Sequence, residues 1–178
     1  AAKQPVLPAS LTSNLFAYFS TGDMKSFKAE LVKTGAATLD FLPYAALAEN
    51  WDIVDIILKY NQIELDDPFN DKGQNLISWA IVNLHTPAVK FLLAHDATLP
   101  ASVKILRDHN YIDFYPLSWA VKSGKLELVK ALASAGANVN DVSVPLQYAH
   151  VYPDVRAFLV DSGADMKVTF KSSGYSAV

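Results

Sequence analysis

Four histidines, an acid-rich run ending at Gly73 and two serines placed before tryptophans are where this chain could carry chemistry. His85, His95, His109 and His150 stand in no HExxH spacing and beside no second ligand, so no metal site is expected. With no cysteine, disulfides and thiolate zinc sites are excluded. Asp66-Asp67-Pro68-Phe69-Asn70-Asp71-Lys72-Gly73 offers the oxygen ligands of a calcium loop. It lacks the Asp-x-Asp-x-Asn-Gly register and the closing Glu, so a tight turn is the expected structure. A serine nucleophile would need a GxSxG elbow or a nearby base, and Ser78 and Ser118 have neither. The seven glycines form no GxGxxG or Walker-type loop. These patterns point to a chain that is not an enzyme, with no catalytic residue, no cofactor and no metal.

Composition bounds the rest. At 178 residues, with 51% hydrophobic and 19% charged residues, a packed core in a single domain is expected. A net charge of −3 supplies no basic stripe for phosphates, which argues against nucleic acid. No apolar run approaches the roughly 18 residues of a membrane span. Charge is uneven: Asp40, Glu49, Asp52, Asp55, Glu64, Asp66, Asp67 and Asp71 are opposed between residues 40 and 71 only by Lys59. Such a face is either merely solvated or an electrostatic guide for a basic partner. The opening Ala1-Ala2-Lys3-Gln4-Pro5 reads either as the product of signal-peptide cleavage, which favours export, or as a trimmed chain.

The elements that must position these residues recur. Residues 115–137 (YPLSWAVKSGKLELVKALASAGA) overlay residues 75–97 (NLISWAIVNLHTPAVKFLLAHDA), matching Ser118-Trp119-Ala120 to Ser78-Trp79-Ala80. Each unit reads as helix–turn–helix. Pro116 opens the first helix at a position that needs no N–H, and Gly124 permits a left-handed end. Leu126, Leu128, Val129, Leu132 and Ala133 give the second an apolar stripe, and Gly136 closes it. Related phrases run at 14–36, 40–61 and 145–165. Self-similarity of this kind signals a stack of units, none of which buries its apolar face alone.

The segment PLSWA…SGKLELVKALASAGANVND resembles an ankyrin repeat, with twelve residues from Gly124 to Gly136 and the ANVN exit in the family's places. The resemblance implies an all-α ankyrin-repeat solenoid of about five helix–turn–helix repeats with degenerate caps. They fall near 11–36, 37–65, 70–99, 112–140 and 143–166, with an insertion at 98–113 and a short tail at 167–178. Departures from the family pattern are informative. Pro43, Ser78, Ser118 and Gln147 replace the usual histidine, so inter-repeat hydrogen bonding must be rebuilt. Glu49, Leu84 and Val151 replace the inter-helix glycine, which puts the left-handed turn there in question. Ala45 to Ala80 is 35 residues and Ala80 to Ala120 is 40, so about seven extra residues lie within 98–113, against a family period of about 33. Trp79 and Trp119 are expected in the stacked core.

Ankyrin repeats grip protein partners through fingers and inner helices, and binding hot spots favour Trp, Tyr and Arg. The resemblance therefore places partner contacts at Trp51, Phe69, His85, Arg107, Tyr111, Phe114 and Tyr115. The insertion carries extra weight, because added loops on rigid scaffolds bear specificity. The expected function is a protein-binding module, a monomer when free, that inhibits a partner enzyme one-to-one. In size and layout the chain is similar to periplasmic ankyrin proteins that shield predatory bacteria from their own peptidoglycan endopeptidases. That similarity implies self-protection in the bacterial periplasm. The alternatives are a structural adaptor or secreted effector bridging two proteins, and a cytoplasmic location.

Overall fold

The computed structural model describes residues 13–34, 39–140 and 149–165. Helices α1 (Ser13–Thr21) and α2 (Met24–Thr34) come first, followed after a 3-10 turn (Leu39–Phe41) by α3 (Leu42–Leu47) and α4 (Trp51–Asn61). Helices α5 (Leu76–Val82) and α6 (Thr86–Ala94) precede two strands, β1 (Val103–Arg107) and β2 (Asn110–Phe114). Helices α7 (Pro116–Lys122), α8 (Leu126–Ser134) and α9 (Pro153–Asp161) complete the described elements.

Helix α4 shows how sequence dictates these elements. Asn50 is extended, and its side-chain oxygen accepts from the Ile53 amide at 3.2 Å, capping one orphan donor. Asp52 sits in the first turn, where negative charge favours the helix dipole. Ile53, Val54, Ile57 and Leu58 then fall at three-four spacing and are all buried. The helix ends at Gln62, whose φ of 56° is left-handed. Truncating Asn50 to alanine would cost about 1 kcal/mol.

One ending recurs along the chain. After α1, α3, α5 and α7, the amide of Asp23, Asn50, His85 and Lys125 bonds the carbonyl of Tyr18, Ala45, Ala80 and Ala120, respectively. After α4, α6, α8 and α9, the same six-to-one bond joins Ile63 to Leu58, Ala97 to Leu92, Ala137 to Leu132 and Ala164 to Leu159. Each is a Schellman ending with a left-handed residue before the bonded amide. Glu49 (φ 52°) and Leu84 (φ 58°) take that conformation without being glycine, so the left-handed turn survives both replacements. Val151 does not; the chain enters α9 instead through a Tyr152 N–H bond to the Ala149 carbonyl. At Gly124 the glycine is required twice over: φ is +67°, and an added Cβ would lie 2.4 Å from the Tyr152 ring.

The chain forms two compact units, Ala1–Trp79 and Ala80–Val178, divided within α5. In the first, Phe41 is the hub: Phe19 meets it edge-on at 4.8 Å, Phe27 lies at 5.4 Å and Tyr44 at 6.1 Å. Phe27, Leu31, Ile53 and Ile57 are buried in the same unit. In the second, α6 packs on α8 and α8 on α9, burying Val89, Leu92, Leu128, Leu132, Val155 and Leu159.

The described chain is predominantly helical, as expected, but not all-α, because the extra residues in 98–113 build an antiparallel hairpin. β1 and β2 pair in regular register from Val103 with Phe114 to Arg107 with Asn110. Val103 and Ile105 alternate with Lys104, which is a strand period and not a helical one. Asp108 (φ 48°) and His109 (φ 66°) are both left-handed, which is the two-residue turn that matches strand twist. Asp and His tolerate that region better than most residues, though less well than the usual Asn-Gly. Trp79 and Trp119 also depart from expectation, since both are half-buried and not enclosed.

Candidate functional site

The hairpin is built from its root outwards. Val103 is buried, and its partner Phe114 lies 5.7 Å from the Trp119 ring on α7. The Lys122 ammonium stands 5.1 Å from the Phe114 ring centre, a cation–π contact over the same residue. Trp119 in turn donates its indole N–H to the Val82 carbonyl at 3.2 Å. That bond ties α7 to the end of α5. Buried Ser118 lies beside it on α7.

Beyond the root the arm is exposed. Leu106 is 61% and Tyr111 54% exposed, and they oppose each other across the strands. Ile112 and Tyr115 are exposed as well, so four of the eight exposed large apolar residues of the described chain sit on or just after this hairpin. Scattered apolar side chains need no explanation; their grouping on one exposed element is what makes this arm the candidate site, with Leu106 and Tyr111 on one face and Ile112 on the other. A two-residue turn makes its flanking pair, Arg107 and Asn110, a hydrogen-bonded one. Counting from there, Leu106 with Tyr111 and Lys104 with Asp113 are the close pairs whose side chains share one face.

Four sequence-predicted residues therefore meet on one arm. Arg107, Tyr111 and Tyr115 are exposed, and Phe114 is its half-buried anchor. Arg107 approaches Asp108 at 3.7 Å with both side chains largely in water, an ion pair of little weight. Leu106 and Ile112 were not foreseen, although the alternation at 103–107 and 110–114 is a signal for both. His85 lies apart at the start of α6, half-buried, and burial lowers its imidazole below the ordinary value. Trp51 opens α4 and Phe69 lies in the turn before α5; both are half-buried in the unit Ala1–Trp79.

That turn uses its oxygens internally. Asp67 accepts from the Glu64 amide at 2.8 Å, and Asn70 accepts from the amides of Lys72 (3.2 Å) and Gln74 (3.0 Å). Asn75 caps α5 by accepting from the Ser78 amide at 3.0 Å. Among the described residues, no three His, Asp or Glu side chains are grouped to hold a metal ion. A shallow groove of about 780 Å³ between α6 and α8 is lined by Lys90, Leu93, Ala94, Lys130 and Ala131. Both lysines bond Glu127, at 3.3 and 3.0 Å, and with Lys130 foremost they hold its carboxyl below the usual range.

Residues 113–144 match the ankyrin repeat family model, a span covering the end of β2, α7 and α8. Ankyrin repeats are generally protein–protein interaction modules. No curated protein matches the chain. No described helix is long and apolar enough to cross a membrane.

Proposed function

We propose that this chain, which carries an ankyrin repeat and is read as a single stack of about five, is a non-enzymatic inhibitor that binds a partner enzyme one-to-one and occludes it. The observation that carries the reading is the hairpin: a narrow, exposed, apolar arm rooted in a packed repeat, a shape suited to entering a cleft. Leu106, Arg107, Tyr111 and Tyr115 are its contact residues and Phe114 its anchor, with Trp51, Phe69 and His85 as further contacts. In fuller form the partner is a peptidoglycan peptidase in the bacterial periplasm and the chain an exported self-protection protein. That form extends the resemblance in size and layout read from the sequence.

The test is calorimetric titration of the chain against purified peptidoglycan endopeptidases, with hydrolysis followed in parallel. A one-to-one complex without activity is the expected result. A complex that leaves hydrolysis intact would sink the inhibitor reading.

A second reading, an adaptor, is favoured by one observation. The unit Ala1–Trp79 exposes Asp40, Glu49, Asp52, Glu64, Asp66, Asp67 and Asp71, with Lys59 held by Asp55 at 2.6 Å. An acidic face of that kind would steer a basic second partner, and its signature is association that slows steeply with added salt.

A further inference from the structure

We infer that the outer edge of β2 takes up an extended strand of the partner protein, one that places a lysine or arginine beside Asp113 and an apolar residue beside Tyr111. The inference rests on the hairpin being the binding arm. In the two-stranded ladder, Asn110, Ile112 and Phe114 turn their N–H and C=O groups towards β1. Tyr111 and Asp113 therefore turn theirs outwards, and among the described residues no hydrogen bond engages either backbone. Exposed residues surround this edge: Asn110, Tyr111, Ile112 and Asp113 all face water.

Natural edge strands are guarded by charged side chains, lysine above all, by proline or by a bulge. β1 has Lys104 at an outward position, whereas the one charge on β2 is Asp113, a guard that turns away acidic strands and admits basic ones; β2 has no proline and its register is unbroken over five pairs. The charge argument selects the occupant. Asp113 opposes Lys104 across the ladder and is exposed, so its carboxylate is open to a cation on its other side. An antiparallel strand added at β2 would set its side chains on the face shared by Leu106, Tyr111, Lys104 and Asp113. Read in its own direction, it meets Asp113 first and Tyr111 two residues later. The complementary pattern is basic, any residue, apolar, which β1 itself displays as Lys104-Ile105-Leu106. Main-chain bonds supply affinity in this mode and the alternate side chains supply specificity.

The probe is a capped synthetic peptide, TVKILRT, titrated into the full isotope-labelled chain and followed by amide hydrogen exchange. The Tyr111 and Asp113 amides should gain about tenfold protection at saturation. Replacing the peptide lysine with glutamate should weaken binding about fivefold, and Asp113→Lys should restore it. Binding that moves the Leu106 and Tyr111 side-chain signals without protecting those amides would overturn strand addition while leaving the hairpin as the binding arm. Absence of binding up to millimolar peptide would overturn it too. Protection that grows with protein concentration alone, alongside a dimer in sedimentation, would assign the edge to a second copy and overturn the assignment to a partner strand. Failure of the inhibitor reading is seen separately, as hydrolysis that persists in the enzyme complex.

Discussion

Two connections between helix pairs, residues 62–75 and residues 95–115, begin from the same Schellman ending, and each leads into the first helix of the next pair, α5 capped by Asn75 and α7 opened by Pro116. They differ in what they do with their polar groups. In the first, Asp67 and Asn70 receive the amides of Glu64, Lys72 and Gln74, and Phe69 bonds Gln74 along the backbone at 3.0 Å. The turn satisfies itself with side chains and stays short. In the second, about seven added residues let backbone bond to backbone across a ladder, so the side chains are released. Four large apolar ones then face water at or beyond its root. A connection closed by its own side chains spends most of them on itself, whereas one closed by its backbone has side chains to offer.

The largest expected effect breaks that contrast at the tip. Leu106→Asp with Tyr111→Asp should weaken partner binding by about a hundredfold or more while leaving the circular-dichroism spectrum unchanged. Asp66→Asn with Asp67→Asn in the short turn should change affinity little, and an equal loss would erase the distinction. Next is Asn70→Ala, which removes one acceptor serving two amides. It should lower stability by about 1–2 kcal/mol in urea unfolding, with the partner's affinity unaffected.

Trp119→Phe keeps a ring against Phe114 but loses the bond to Val82. A loss of about 1 kcal/mol is expected, with faster amide exchange along β1 and β2. His109→Gly relieves a left-handed side chain, so the Ile112 amide should exchange more slowly, by an opening free energy of about 0.5–1 kcal/mol. The smallest effect is pH-dependent. The folded imidazole of His85 lies below its ordinary value of 6.5, so its contribution is fully present above pH 6.5 and is lost as pH falls through the lowered value. His85→Gln should flatten that part of the stability profile in urea titrations.

Much of this was legible before any coordinates. The overlay of Ser118-Trp119-Ala120 on Ser78-Trp79-Ala80 located α5 and α7, and the apolar stripes located α6 and α8, because helical periodicity is a local property. The hairpin was visible only as surplus length. Its turn is Asp-His where Asn-Gly would have announced it, and its strands are five residues each. The replacement of glycine by Glu49 and Leu84 misled for a related reason. A left-handed residue is disfavoured by roughly 1 kcal/mol or more, yet two Schellman bonds around each one hold it there. Of the expected contact residues, those on the arm came together, while Phe114 turned inward because aromatic alternation along a strand puts one ring on the core side.

The indole bond from Trp119 to Val82 has a mechanical consequence. An arm fixed at a single helix would swing about its root when a bound partner pulls on the tip. Here tension at Leu106 and Tyr111 runs down both strands to Phe114, passes ring to ring into Trp119, and is shared through the indole with the end of α5. The hairpin is therefore a cantilever whose root is tied to two helices, to α7 by ring packing and to α5 by the indole bond.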